Sequence, residues 1–353
     1  MHVARQRLER VRLVGQRLTR LGADPSQNVE GHPAQQPSLP NGENSSTYEE
    51  ERVPPTTRPF RFGVVAAFAR DTQEWIAKAR RAEVLGYATL LVPDGLRHTL
   101  APLPALAVAA AATSSLRLGT YVLANDLRHP VLLAKDAASL DLLSGGRFEL
   151  GIGAGRPTAA EDYRMLGLTF DAGAARVARL ADSLGLLKGL LAGQRVVATG
   201  ANYTFGEAEV SPRPLQQPHP PILVAGSGSR LLALAAREAD IIALGLPPDA
   251  TEATAAEKIE HLRRAAGARF EQLELNVNLM AVADQVPRYV SSQLGLTADA
   301  LARSGAVSAA VGTTEEMCET LLRRRDRLGI SYIAVADELM EALAPVVERL
   351  AGH

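Results

Sequence analysis

From Pro59 to the C-terminus, apolar runs of five to eight residues alternate with amphipathic helical stretches, and that alternation leaves few folds open. Strand starts are expected near Phe62, Ala88, Leu116, Arg147, Pro221, Ala239, Leu273 and Ile330. Helices between them include Gln73 to Leu85, Leu103 to Ala112, Val131 to Leu143, Ala174 to Leu191 and Glu315 to Leu328. Strand-helix repeats make parallel crossovers, and eight of them close a (β/α)8 TIM barrel of about 250 residues. The expected class is therefore α/β, with the barrel over residues 59–353. Periodicity alone also admits a doubly wound open sheet.

Two gaps are too wide for one helix, Arg156 to Pro220 and Ala281 to Gly329, so insertions are expected after strands four and seven. The first holds a hairpin pattern from Val196 to Val210 around Thr199-Gly200-Ala201-Asn202. Loops inserted in a barrel usually shape a substrate pocket, and both insertions are expected to do so.

Residues 1–58 have a different texture. Met1 to Leu21 is basic and amphipathic, and Asp24 to Arg58 is rich in Pro, Asn, Ser, Gln and Glu. Such a segment has too little apolar surface to offset its ordering entropy, so a disordered leader is expected.

With 353 residues, 46% hydrophobic and 22% charged, the composition is that of a globular domain with a large core. The formal net charge of -1 argues against nucleic acid or an anionic membrane as partner and favours a small-molecule substrate. A single cysteine, Cys318, permits no intramolecular disulfide and fits a cytoplasmic setting. The seven histidines show no metal-ligand spacing, so no metal is expected.

Chemistry concentrates in glycine-rich turns. Gly151-Ile152-Gly153-Ala154-Gly155-Arg156 follows the fourth strand, and Gly226-Ser227-Gly228-Ser229-Arg230 follows the fifth and opens a helix. Bare backbone brings N–H groups close to an anionic or planar ligand, and a helix N-terminus favours a phosphate. The second turn is the stronger anion site, with Ser229 read as the N-cap and Arg230 as a nearby cation. The first does not fit a dinucleotide fingerprint, because it lies at the fourth strand and runs into Pro157; its glycines could equally make a tight barrel corner. Asp94 ends the second strand, where it could orient a ligand or form a turn before Gly95. His98 and His129 lie in adjacent loops as acid-base candidates.

Together these segments resemble the bacterial luciferase-like monooxygenase superfamily, specifically its branch that uses the deazaflavin coenzyme F420. The resemblance is carried by Leu116 to Asn125, Arg128-His129-Pro130, Leu140 to Arg147, Gly151 to Gly155, Ser211 to Pro214, His219 to Pro221 and Ala236 to Asp240. It implies a (β/α)8 barrel holding the ring at the C-terminal ends of the strands, above a bulge with a non-proline cis peptide at Tyr121, Val122 and Leu123. Ring and tail contacts map onto Asp94, Asn125, Gly153, Ala154 and Gly155, and the phosphate onto Gly226 to Ser229, while Arg156 and Arg230 follow the two glycine turns as cations where the F420 tail could leave. Two departures stand out. Gly95 occupies the place of a histidine in many relatives, and Arg156 that of a glutamate in some dehydrogenases, so either the acid-base group has moved, as to His98, or the substrate does not need one. The implied activity is hydride transfer between F420 and a small organic substrate. The alternatives are an FMN-dependent monooxygenase served by a partner reductase, and a non-catalytic flavin-binding relative. A homodimer is expected, as relatives are often dimers.

Overall fold

A computed structural model describes residues 58–353, and the leader expected over residues 1–58 lies, all but Arg58, outside the described residues. Eight parallel strands alternate with eight helices. They are β1 (Arg61–Val65), α1 (Thr72–Val84), β2 (Thr89–Val92), α2 (Pro102–Ala112), β3 (Arg117–Thr120), α3 (Pro130–Leu143), β4 (Phe148–Gly153), α4 (Gly173–Leu191), β5 (Ile222–Gly226), α5 (Ser229–Glu238), β6 (Ile241–Leu244), α6 (Glu252–Ala266), β7 (Glu274–Leu279), α7 (Thr314–Leu328), β8 (Ile330–Ala336) and α8 (Met340–Leu350). Each strand pairs in parallel with its sequence neighbours, β8 pairs with β1, and β3 with β4. The sheet therefore closes, which excludes the open doubly wound alternative.

The period of two along the strands separates two cores. Outward residues such as Phe62, Val64, Leu90, Leu118, Leu150, Val224, Ile242 and Val335 pack under the helices. Their inward neighbours Leu91, Leu223, Ile241, Ala243, Tyr332 and Ala334 form a smaller cluster within the barrel. Helix starts follow their local chemistry. Asp71 accepts the Glu74 N–H at 2.8 Å to open α1, proline stands in the first turn of α2 and α3, and Thr313 with Glu316 forms a capping box for α7.

The insertions differ from their expected role. The antiparallel pair Val196–Thr199 and Thr204–Ala208 exists, but it belongs to the connection from α4 to β5. None of its residues lines the cavity described below, because its turn packs outside the barrel wall, where the Tyr203 hydroxyl meets Asn125. The insertion after β7 builds its own small core from Ala281, Val290, Ala298, Leu301, Ala306 and Ala309. Arg324 of α7 fastens it by donating to the carbonyls of Ala306, Val307 and Ala309. It too stays clear of the cavity.

At the entrance to β3, Glu83 of α1 accepts the backbone N–H groups of Ser114, Ser115 and Leu116 at 2.6–3.0 Å. Burial works against the charge, but the N–H groups of Ser115 and Leu116, then the Ser115 hydroxyl and the Ser114 N–H, outweigh it and hold the carboxyl down at about 2. A depressed folded-state value means that this stabilisation is fully present above the unfolded value of about 4.3 and is lost as pH falls toward about 2. Melting temperature is expected to fall across that window. In Glu83→Gln this component is absent, so the variant melts lower at neutral pH and its acid slope is shallower, as differential scanning calorimetry will show.

Candidate functional site

At the end of β3 the chain carries one residue more than its partner. Gly119 pairs with Glu149 and Leu123 with Ile152, so four steps on one strand face three on the other. The ladder does not simply open there. The Thr120 hydroxyl donates to the Gly151 carbonyl at 2.7 Å and accepts the Gly151 N–H at 2.9 Å, replacing the interrupted backbone pairing. The Thr120 carbonyl then presses so close that a Cβ on Gly151 would overlap its oxygen. Gly151 is thus required by a barrel corner, and it does not line the cavity; that part of the first glycine turn serves the fold.

Beyond the bulge, the peptide between Tyr121 and Val122 is cis, as the resemblance implies. The Tyr121 hydroxyl lies 2.6 Å from Asn276 Oδ1, and Asn276 Nδ2 donates to the Tyr332 carbonyl at 3.1 Å. Burial pushes the Tyr121 phenol up, so it serves as a neutral donor.

Over this floor lies a cavity of about 770 Å³ at the C-terminal ends of β2 to β6. That volume falls within the range of small-molecule sites. Tyr121, Val122 and Leu123 line it on one side, Gly153, Ala154, Gly155 and Arg156 on the next, and Gly226 to Arg230 on a third. Most of the residues expected at the site therefore meet in one space.

Others are placed differently. Asp94 borders the cavity, but its carboxylate is taken: Arg128 binds it through both nitrogens at 2.6 and 3.0 Å, and the Ala124 N–H donates to it at 3.0 Å. It fixes the end of β3 to the end of β2. Asn125 is buried beside the cavity wall and does not line it; its amide nitrogen donates to Tyr203 and Asp126, while Oδ1 has no partner. His98 is exposed, has a φ of 64°, and lies outside the lining. The loop passes through a left-handed residue there, and His98 is not among the residues that line the cavity. His129 contributes its Nδ1 to the start of α3, accepting the Val131 N–H at 3.3 Å.

The second glycine turn also needs a correction. The N-cap of α5 is Gly228, without a side-chain cap, and Ser229 is the first helical residue. With no side chain satisfying them, the first N–H groups of α5 stay open to a ligand. A Cβ on Gly228 would meet nothing within 4 Å, whereas one on Gly226 would collide with Leu231. Gly226 is small so that the helix can seat on the strand, and Gly228 borders open space. From α6, Lys258 Nζ and the His261 ring lie 3.1 and 3.3 Å from the carbonyls of Ser227 and Ser229 and hold the turn from behind.

Sequence reading missed the arginines of α4. Arg176 donates to the carbonyls of Ala154 and Gly155 at 2.8 and 2.5 Å and stacks over Phe170, with 3.9 Å from Cζ to the ring centre. Arg179 bridges Asp126 and Asp171. Their spacing of three, on the first turns of a helix that follows a glycine loop, was the available signal. Asp162, on the short helix Ala160–Met165, also lines the cavity and was not singled out.

The sequence profile of the luciferase-like monooxygenase family matches residues 59–302. This chain belongs to that family. One relative, the F420-dependent glucose-6-phosphate dehydrogenase of Beutenbergia cavernae, is 36% identical over 167 residues, covering 45% of this chain and 48% of that one. The chain thus spans about half the length of this curated relative. The enzyme of the same description from Kineococcus radiotolerans is 33% identical over 241 residues, covering 65% and 70%. Among solved structures, the monooxygenase RslO1 from Streptomyces bottropensis superposes with a TM-score of 0.64 at 22% identity, covering 82% of this chain and 97% of that one. At that identity the likeness concerns the luciferase-like fold alone.

Replacing Gly151 with alanine is expected to destabilise the protein by about 3 kcal/mol or more, since backbone rather than a mobile side chain blocks the new Cβ. Alanine at Gly228, where the space is open, is expected to change stability by less than about 1 kcal/mol. Urea unfolding of the two variants, side by side, checks the contrast.

Proposed function

We propose that this chain is an F420-dependent oxidoreductase that moves a hydride between the deazaflavin ring and a small organic substrate. The observation that carries the reading is the uncapped start of α5 at Gly228, opening onto a cavity whose other walls are the bulge at Val122 and the turn at Gly155. A phosphorylated tricyclic cofactor fits such a space: a flat apolar wall at one side, bare backbone and a helix N-terminus at the other. F420-dependent relatives at 33–36% identity support F420 over FMN.

When bound, F420 supplies a ring carbon that gives or takes a hydride. The protein's part is position and polarity. Val122 and Leu123 would support the ring, Gly153, Ala154 and Gly155 would approach its edge, and Ser227, Gly228 and Ser229 would hold the phosphate. Arg156 and Arg230 stand at the two turns, and neither side chain has an ion-pair partner among the described residues. They are free to meet the lactyl-oligoglutamate tail, which F420 has and FMN lacks.

Fluorescence titration with F420 and with oxidised and reduced FMN tests this reading. F420 is expected to bind more tightly at low ionic strength, with a preference that narrows as salt screens the tail. Gly228→Asp, which places a negative charge at the phosphate position, is expected to weaken F420 at least tenfold, or about 1.4 kcal/mol. Binding of reduced FMN with oxygen-dependent product, and no binding of F420, would replace the assignment by a monooxygenase that depends on a reductase.

A second copy of the chain is the partner proposed for α2 and α3. The exposed face of α2 is Ala101, Pro104, Ala107, Val108 and Ala111, with no charge, and exposed Leu132, Leu142 and Leu143 lie on the neighbouring α3. A solvent face this apolar marks an association surface. Light scattering is expected to report a dimer that Val108→Glu with Leu143→Glu converts to monomer. No helix among the described residues is long and apolar enough to cross a membrane.

A further inference from the structure

We propose that Asp162 receives the hydroxyl proton of a neutral alcohol substrate in this cavity, an inference that rests on the F420 reading above. Five charged side chains line the space: Asp94, Arg156, Asp162, Arg176 and Arg230. Asp94 has its oxygens filled by Arg128 and the Ala124 N–H, and Arg176 spends its donors on backbone carbonyls. Arg156 and Arg230 stand at the glycine turns, on the side given to the cofactor's anionic groups. Asp162 remains, and its carboxylate makes no hydrogen bond or ion pair among the described residues.

Its position is specific. The short helix Ala160–Met165 brings Asp162 across to the loop after β2, where Oδ2 lies 3.8 Å from the point a Cβ on Gly95 would occupy. Because Gly95 has no side chain, the space in front of the carboxylate stays open to the cavity. A carboxylate is acceptor-only, so the substrate group it meets must be a donor. Its charge disfavours an anionic substrate nearby and favours a neutral one.

A hydroxyl on the carbon that yields the hydride satisfies both demands. The carbinol C–H bond breaks, and its electron pair leaves as hydride to the oxidised deazaflavin. The O–H bond breaks, its proton passes to Asp162, and the C=O bond forms. The substrate loses two electrons and the cofactor gains two; in the reverse direction protonated Asp162 returns the proton to the carbonyl oxygen. General acid-base catalysis of this kind contributes about 10²–10⁴-fold.

The test uses the full-length protein, Asp162→Asn and Asp162→Glu, with 2-propanol, cyclohexanol and 1-phenylethanol as probes. Three quantities are measured: melting temperature, F420 affinity by fluorescence quenching, and turnover. Asn at this position is expected to leave melting and F420 affinity unchanged while turnover falls about 10²–10⁴-fold. Glu, which keeps the carboxylate, is expected to recover part of the rate. Wild-type turnover in Asp162→Asn, or saturable F420 binding by the wild type with none of the alcohols oxidised, would overturn the role of Asp162 and leave the cofactor reading intact. Failure of the wild type to bind F420 would overturn both.

Discussion

The contact between the Thr120 carbonyl and the bare α-carbon of Gly151 governs the cavity end of this barrel. One extra residue at the end of β3 pushes the strand inward, and only glycine on β4 can receive it. The Thr120 hydroxyl restores the lost pairing through two hydrogen bonds, so the bulge costs the sheet few unsatisfied groups. With the wall fixed there, Val122 meets Gly153 across the gap, where a Cβ would come within 3.0 Å of Val122 Cγ2. The alternation of glycine along β4 is therefore the counterpart of the bulge on β3, and the cavity opens above the pair.

The opposite end of the barrel is closed by charge. Glu149, with only 2% of its side chain exposed, receives Arg61 and Arg117 at 2.6 and 2.5 Å, and Arg61 also reaches Glu274 at 2.7 Å. Burial opposes ionisation of Glu149, but the two guanidinium groups outweigh it and hold its carboxyl below the usual range. Such a network stabilises only while complete, since removing one partner strands a buried charge. Above it, Leu91, Leu223, Ile241 and Tyr332 fill the axis. The interior thus runs from charged, through apolar, to the open cavity at the C-terminal end of the strands.

How much of this was legible follows from what each feature depends on. Strand and helix positions depend on local periodicity, and the eight strand starts read from sequence fall within two residues of those observed. The cavity walls were legible because glycine turns are short, contiguous signals. Pairings between distant segments were not. Nothing local tells that Arg128 occupies Asp94, that Arg176 reaches back to Ala154, or that the loop turns His98 outward. The hairpin after α4 was recognised as a hairpin, yet its place outside the wall depends on packing against α4 and Asn125, which periodicity does not encode. Ser229 looked like a cap because its residue type favours that position, but the chain enters the helix one residue earlier, at Gly228.

The arginines show why charge type alone is a poor guide to a site. Arg128, Arg176 and Arg179 form the frame of the cavity, each with its donors committed to carboxylates or carbonyls. Committed groups hold geometry, and they have little field left to offer a ligand. Arg156 and Arg230 carry the same charge, are exposed at the two glycine turns, and have no ion-pair partner among the described residues. Asp94 and Asp162 divide in the same way, one filled and one free. The side chains that the framework leaves unpaired are those still available to a ligand, and they become visible only once every other partner has been assigned.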